Sequence, residues 1–151
     1  MPSVRELPPG EEHRAARVLR ILRPRFADDA AVVEAVVAQR PAGYRLLGSF
    51  PTGDGTDGDE TDAVAVAGFR EVLSLSWGRT VYVDDLVTAP AHRGEGHATA
   101  LLGALDAIAR VAGCGELHLD SGVGADRQAA HRRYFGHGMR VAAFHFSKPL
   151  S

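Results

Sequence analysis

Between Val81 and Thr99 the chain sets two adjacent carboxylates, Asp84 and Asp85, ahead of a turn carrying Gly94 and Gly96 that opens onto an amphipathic segment. Such a turn is built to hold a phosphate. The first backbone N–H groups of a helix lack intrahelical acceptors, and the helix dipole adds partial positive charge where an anion would sit. Glycine removes the Cβ that would keep a ligand off the main chain. Further along, Tyr134 offers a phenol four residues after Ala130, on one face of a second helical segment.

The other reactive side chains point to less. Seven histidines show no HExxH motif and no paired Cys and His spacing, and one cysteine cannot complete a zinc site, so no metal is expected. Cys114 lies between Gly113 and Gly115 without an activating partner and reads as a bystander. The acids from Asp54 to Asp62 lack the ligand order of a calcium loop. They read as a solvated connector whose charge helps to draw in cations.

These groups need elements to position them. Ser3 to Leu7 reads as a short strand, followed by a helix from about Glu11 to Arg23 that Pro24 ends and that buries Ala15, Val18, Leu19 and Leu22. A second helix, capped by Asp28 or Asp29, carries Val32, Val33, Val36 and Val37 and stops before Pro41. Tyr44 to Phe50 and Ala63 to Val72 read as antiparallel strands around a connector, PTGDGTDGDETD, expected to be mobile. Next come a strand at Thr80 to Thr88, a helix at about Glu95 to Ala112, a strand at Glu116 to Asp120, a helix at about Asp126 to Gly136 and a last strand at Met139 to Ser147. Ala98, Leu101, Leu102, Leu105, Ile108, Ala109 and Ala112 give the long helix its apolar stripe. Strand, helix, strand in this order implies a right-handed parallel crossover inside a mixed sheet. The fold class is therefore α/β, with a central mixed β-sheet flanked by helices, and residues 1–151 are read as one domain.

Bulk properties agree with a globular chain. With 151 residues it can bury about two-thirds of the surface its unfolded form exposes. A net charge of −2 gives no general attraction to nucleic acid or to anionic lipid, so neither is expected as a partner. A lone cysteine forms no intramolecular disulfide, no segment approaches membrane-spanning length, and Arg5, Glu6, Glu11 and Glu12 interrupt any apolar leader. Cytoplasm is the expected compartment, and a homodimer stays open.

Arg93, Gly96 and Ala98 reproduce an RxxGxG/A pattern behind the strand VDDLVTAP, and AAHRRYFGHGMR follows as a late helix, tyrosine and glycine. On these residues the chain resembles the GCN5-related N-acetyltransferases, the GNAT family. The likeness runs from about Val64 to Ser147, and the first 60 residues match in element order alone. It implies a GNAT-like fold with acetyl-CoA as cosubstrate. An acetyl group would pass to a primary amine by direct attack in a ternary complex, the acceptor being a small molecule or a peptide.

The resemblance also assigns roles. Backbone N–H groups of Gly94, Glu95, Gly96, His97, Ala98 and Thr99, beside Arg93, would hold the pyrophosphate of coenzyme A. The backbone of Leu86, Val87 and Thr88 would bond the pantetheine arm where two strands splay apart. Glu95 departs from the usual lysine, arginine or glutamine, and a carboxylate beside two phosphates repels them unless it points to water. Tyr134 would be the general acid for the departing thiolate, since a phenol with a pKa near about 10 is a competent donor within hydrogen-bond reach.

A protonated amine must lose a proton before it attacks, and Asp84 or Asp85 is the candidate base. Asp84 stands where many relatives carry glutamate; one methylene shorter, it would act through a water. Strict alternation puts Asp84 on the face of Tyr82 and Leu86, with Asp85 opposite, unless a bulge disturbs the count. Orientation of a cationic substrate, or a structural carboxylate, is the competing role for both. His118, alternating with Leu117 and Leu119, reads as a structural histidine or as a secondary base.

Two other readings compete. Gly94 and Gly96 with Asp120 about 20 residues on imitate a dinucleotide fingerprint, but Thr99 takes the third glycine position and Arg93 goes unexplained. A noncatalytic acyl-CoA sensor or interaction module would keep the groove without turnover.

Overall fold

The computed structural model describes residues 2–51 and 61–151. Most of the acidic connector, and with it the expectation of mobility, lies outside the described residues. Two compact units divide the chain, Met1–Leu119 and Asp120–Ser151.

The first unit is a five-stranded sheet with helices. Its strands, β1 (Ser3–Leu7), β2 (Arg45–Phe50), β3 (Ala65–Ser74), β4 (Gly78–Thr88) and β5 (Glu116–Leu119), lie in sequence order. Neighbours are antiparallel as far as β4, and β4 pairs with β5 in parallel. A parallel pair cannot be closed by a hairpin, so the chain crosses through the long helix α3 (His97–Val111). This mixed sheet is unlike the parallel sheet that a dinucleotide fold requires.

Early helices α1 (His13–Leu22) and α2 (Asp29–Gln39) pack together with Leu7, Leu46, Phe50, Val66 and Val87 in one core cluster. Asp28 caps α2 by accepting the Ala31 N–H at 2.8 Å, settling which aspartate stands there. Of the expected apolar stripe of α2, Val32 and Val36 are buried, whereas Val37 is half exposed. The helix α1 begins at His13 because Glu11 and Glu12 are spent on the turn before it. The Glu11 N–H bonds the Pro8 carbonyl at 3.0 Å, and the Glu12 carboxylate accepts the Gly10 N–H at 2.9 Å.

Helix α3 buries Leu101, Leu102 and Leu105 completely. Each such side chain stabilises the fold by about 1.5–3 kcal/mol relative to exposure. Ser49 of β2 hydrogen-bonds His97 at 2.8 Å, which identifies the sheet face that α3 covers.

The second unit carries α4 (Gln128–Gly136), in which Tyr134 alone is buried. An ion pair joins His145 to Asp120 at 3.2 Å, and His131 Nε2 bonds the Ser121 hydroxyl at 3.1 Å. The strand expected at Met139 to Ser147 is not formed: this stretch has no ladder partner among the described residues, and Phe144 and Phe146 are exposed. Alternation of apolar residues says which faces a strand would present, but a strand exists only where another backbone pairs with it.

Candidate active site

A register shift in the sheet organises the carboxylates. Gly68 of β3 pairs with Asp85 and Phe69 pairs with Val83, so Asp84 is the extra residue of a β-bulge in β4. The bulge disturbs the simple alternation, and the two carboxylates take different partners, Arg70 for Asp84 and Tyr44 with Arg23 for Asp85, of which Arg70 and Tyr44 pack on each other. Arg70 donates through Nε to Asp84 Oδ2 at 2.7 Å, and the Tyr44 hydroxyl donates to Asp85 Oδ2 at 2.7 Å. Arg23, just after α1, spans both residues: Nε reaches Asp85 Oδ1 at 2.9 Å and Nη2 reaches the Asp84 carbonyl at 3.0 Å. The Arg70 guanidinium also lies 5.7 Å above the Tyr44 ring and takes Gln39 Oε1 at 3.3 Å.

Burial pushes the Asp84 carboxyl up, against the opposing pull of the Arg70 cation. A carboxylate raised in this way is a stronger base than a solvated one. Burial, reinforced by the Asp85 charge, drives the Tyr44 phenol far upward. Tyr44 therefore stays protonated and can only donate to Asp85.

Sequence reading did not single out Arg23, Tyr44 or Arg70. Their signal was weak: Arg23 follows a helix end, and Tyr44 follows Gly43, whose φ of 98° turns the chain out of a 3-10 helix at Arg40–Ala42. Only the pairing of β3 with β4 reveals that Arg70 meets Asp84.

The glycine turn has the geometry an anion site needs. Gly94 and Gly96 adopt φ of 81° and 88°, left-handed conformations that other L-residues rarely hold. Open space surrounds the Cβ position of Gly94, so conformation, more than room, demands that glycine. Gly96 is the N-cap of α3 and brings no side chain to bond the first amides of the helix. Beside this turn β4 runs on to Thr88 against β3, while its pairing with β5 ends at Val83 and Leu119. Leu86, Val87 and Thr88 therefore lie past the point where β4 and β5 part company. His97, expected to lend only its amide, has its side chain buried against Ser49.

Glu95 is exposed but does not stand alone. Its Oε2 lies 3.0 Å from His92 Nδ1 and 3.3 Å from His97 Nε2, and the His92 hydrogen bond leads the effects that hold its carboxyl below the ordinary value. His118 stacks on Trp77 at 4.1 Å between ring centroids and bonds Glu116 at 2.9 Å, a structural setting. Burial, with help from Glu71, pushes the Cys114 thiol up and away from the nucleophilic thiolate. In the second unit, burial pushes the Tyr134 phenol up, and the Arg127 cation opposes this without cancelling it. Among the described residues, no helix is long and apolar enough to cross a membrane.

With this geometry in hand, the wider likeness is specific. The model of the Acetyltransferase (GNAT) family matches residues 15–139, and the chain belongs to that family. Among curated proteins it is similar to streptothricin acetyltransferase of Streptomyces lavendulae, 34% identical over 109 residues, a match covering 62% of this chain and 58% of that protein. The match thus spans little more than half the relative's length. Two of the solved structures that share the fold illustrate the likeness. One is an aminoglycoside acetyltransferase from an uncultured soil metagenomic sample, with TM-score 0.75 and 21% identity, covering 100% of this chain and 99% of the other. The other is ribosomal-protein-alanine N-acetyltransferase of Brucella melitensis biovar Abortus 2308, with TM-score 0.72 and 22% identity, covering 100% and 98%.

Proposed function

We propose that the protein is an acetyl-CoA-dependent N-acetyltransferase in which thioester and amine bind together and the amine nitrogen attacks the thioester carbonyl. The observation that carries this is the left-handed Gly94 and Gly96 turn at the head of α3, next to a β4 edge that β5 leaves beyond Val83. Amides of residues 94–99 take the diphosphate, with Arg93 adding charge, and the backbone of Leu86, Val87 and Thr88 takes the pantetheine amides. The reading treats residues 1–151 as one catalytic domain, since the family match runs across both units.

Asp84 removes the proton from the ammonium of the acceptor through a water. Its raised carboxyl suits that role, and Asp85, bound to Tyr44 and Arg23, fixes the bulge that presents it. Attack forms the new C–N bond, the C–S bond breaks, Tyr134 protonates the leaving thiolate, and the proton that nitrogen sheds on becoming an amide restores the Tyr134 phenol. Burial keeps the Tyr134 phenol protonated at neutral pH, so that it holds a proton to give.

The acceptor is a small amine. The curated relative is named for streptothricin and one structural neighbour for aminoglycosides, which makes these the first acceptors to try. A reducing compartment, the cytoplasm, suits a chain with one free thiol.

Thermal shift with acetyl-CoA, coenzyme A and NAD, then thiol release across streptothricin, aminoglycosides, polyamines and peptides, tests the reading. Stabilisation by acetyl-CoA and turnover with at least one amine are expected. Stabilisation by NAD alone would overturn the cofactor assignment, and acetyl-CoA binding without turnover of any amine would favour a sensor.

A further inference from the structure

The turn that opens α3 holds a second constellation, separate from its amides. His92 Nδ1, Glu95 Oε2 and His97 Nε2 all lie within 4.8 Å of one another. The two histidine-to-carboxylate separations are 3.0 and 3.3 Å. Tetrahedral zinc, with ligand bonds of about 2.0–2.1 Å, sets neighbouring ligand atoms about 3.3–3.4 Å apart. Two imidazoles and one carboxylate form a borderline donor set, suited to zinc and its neighbours and ill suited to magnesium or calcium. We propose that His92, Glu95 and His97 form a three-ligand site for a divalent transition metal, zinc in the first instance, with water in the fourth position.

Burial is graded across the three ligands as such a site requires. The His97 side chain is 1% exposed and anchors the site, whereas those of Glu95 and His92 are 48% and 32% exposed. The solvent side supplies the entry path and the water.

A supporting contact lies behind His97. Ser49 Oγ is 2.8 Å from His97 Nδ1, on the ring nitrogen that a metal would not use. Ligand histidines typically fix their orientation through that other nitrogen. A ring that donates Nε2–H to Glu95 accepts at Nδ1 from the serine hydroxyl. A ring that ligates through Nε2 keeps its proton on Nδ1 and donates it to the same oxygen. Serine serves both states because a hydroxyl donates and accepts.

The spacing His-x-x-Glu-x-His is neither HExxH nor a paired Cys and His pattern, so sequence alone gives no reason to expect a metal. What closes it is the pair of left-handed glycines: Gly94 and Gly96 alternate with the ligands and fold them onto one side of a tight turn. The proposal does not rest on acetyl transfer, because the three side chains would bind an ion whatever the amides hold.

The test uses tag-free full-length protein treated with a chelator and free of acetyl-CoA. Zinc is titrated calorimetrically, and cobalt is followed by the visible absorption of its four-coordinate form. One equivalent should bind to the wild type and to His13→Gln, a change at an exposed histidine outside the turn. His92→Gln and Glu95→Gln, both at surface positions, should each weaken binding by more than about 10-fold, and Ser49→Ala by about 10-fold. Absence of binding by the wild type, or full affinity in either ligand variant, overturns the site. Either result leaves the acetyltransferase reading untouched, and loss of amine turnover would leave this one untouched.

Discussion

Tyr44 stands over Gly68 so closely that a Cβ on Gly68 would occupy the place of the tyrosine hydroxyl. That hydroxyl is the one bonded to Asp85 at 2.7 Å, and Gly68 is the residue opposite Asp85 in the sheet. The missing side chain of β3 thus admits the donor that anchors the bulge of β4.

Gly68→Ala should displace Tyr44 and free Asp85. The cost expected from overpacking is about 1–3 kcal/mol of stability, with a fall in turnover as the bulge relaxes. Urea denaturation and steady-state kinetics check the two effects. A variant with wild-type stability and turnover would detach Gly68 from the site.

Asp84→Asn should lower kcat by about 10²-fold or more while acetyl-CoA binding stays near wild type. In the proposed mechanism the rate needs the deprotonated carboxylate, so activity should be present above the Asp84 pKa and lost as pH falls through it. Because burial raises that pKa, the acid limb should lie above the ordinary aspartate range near about 3.9. A pH–rate profile with the same acid limb in the variant would assign the limb to another group.

Tyr134→Phe keeps the ring and removes the proton donor. A drop in kcat of about 10²–10⁴-fold is expected, with little change in the coenzyme A affinity measured by calorimetry. An unchanged rate would remove Tyr134 from the mechanism.

Glu12 is buried and paired with Arg40 at 2.6 Å. Burial alone would raise its carboxyl, but Arg40 and the Gly10 amide together hold it below the ordinary value. A depressed folded pKa means that the unfolded chain binds the proton more tightly. The pair therefore stabilises the fold above the ordinary glutamate pKa of about 4.3, and this is lost as pH falls through the folded value. Glu12→Gln should cost about 1.5–3 kcal/mol at neutral pH, and the difference from wild type should shrink below about pH 4. Thermal melts at both pH values provide the comparison.

Local chemistry was legible in the chain. The glycine turn, the stripe of α3 and an aspartate cap on α2 follow from contacts among residues a few positions apart, and all three appear in the structure, which chose Asp28 over Asp29 for the cap. The Met139 to Ser147 stretch shows the limit, since apolar alternation there met no partner strand.

Near neighbours alone were enough to set the left-handed glycine turn at the head of α3, because backbone conformation and helix ends depend on residues a few positions away. Long-range packing was needed to bring Arg23 onto the Asp85 carboxylate and the Asp84 carbonyl, and to bury His97 against Ser49. Strand register and helix docking join residues tens of positions apart, and a single bulge reverses where a side chain points.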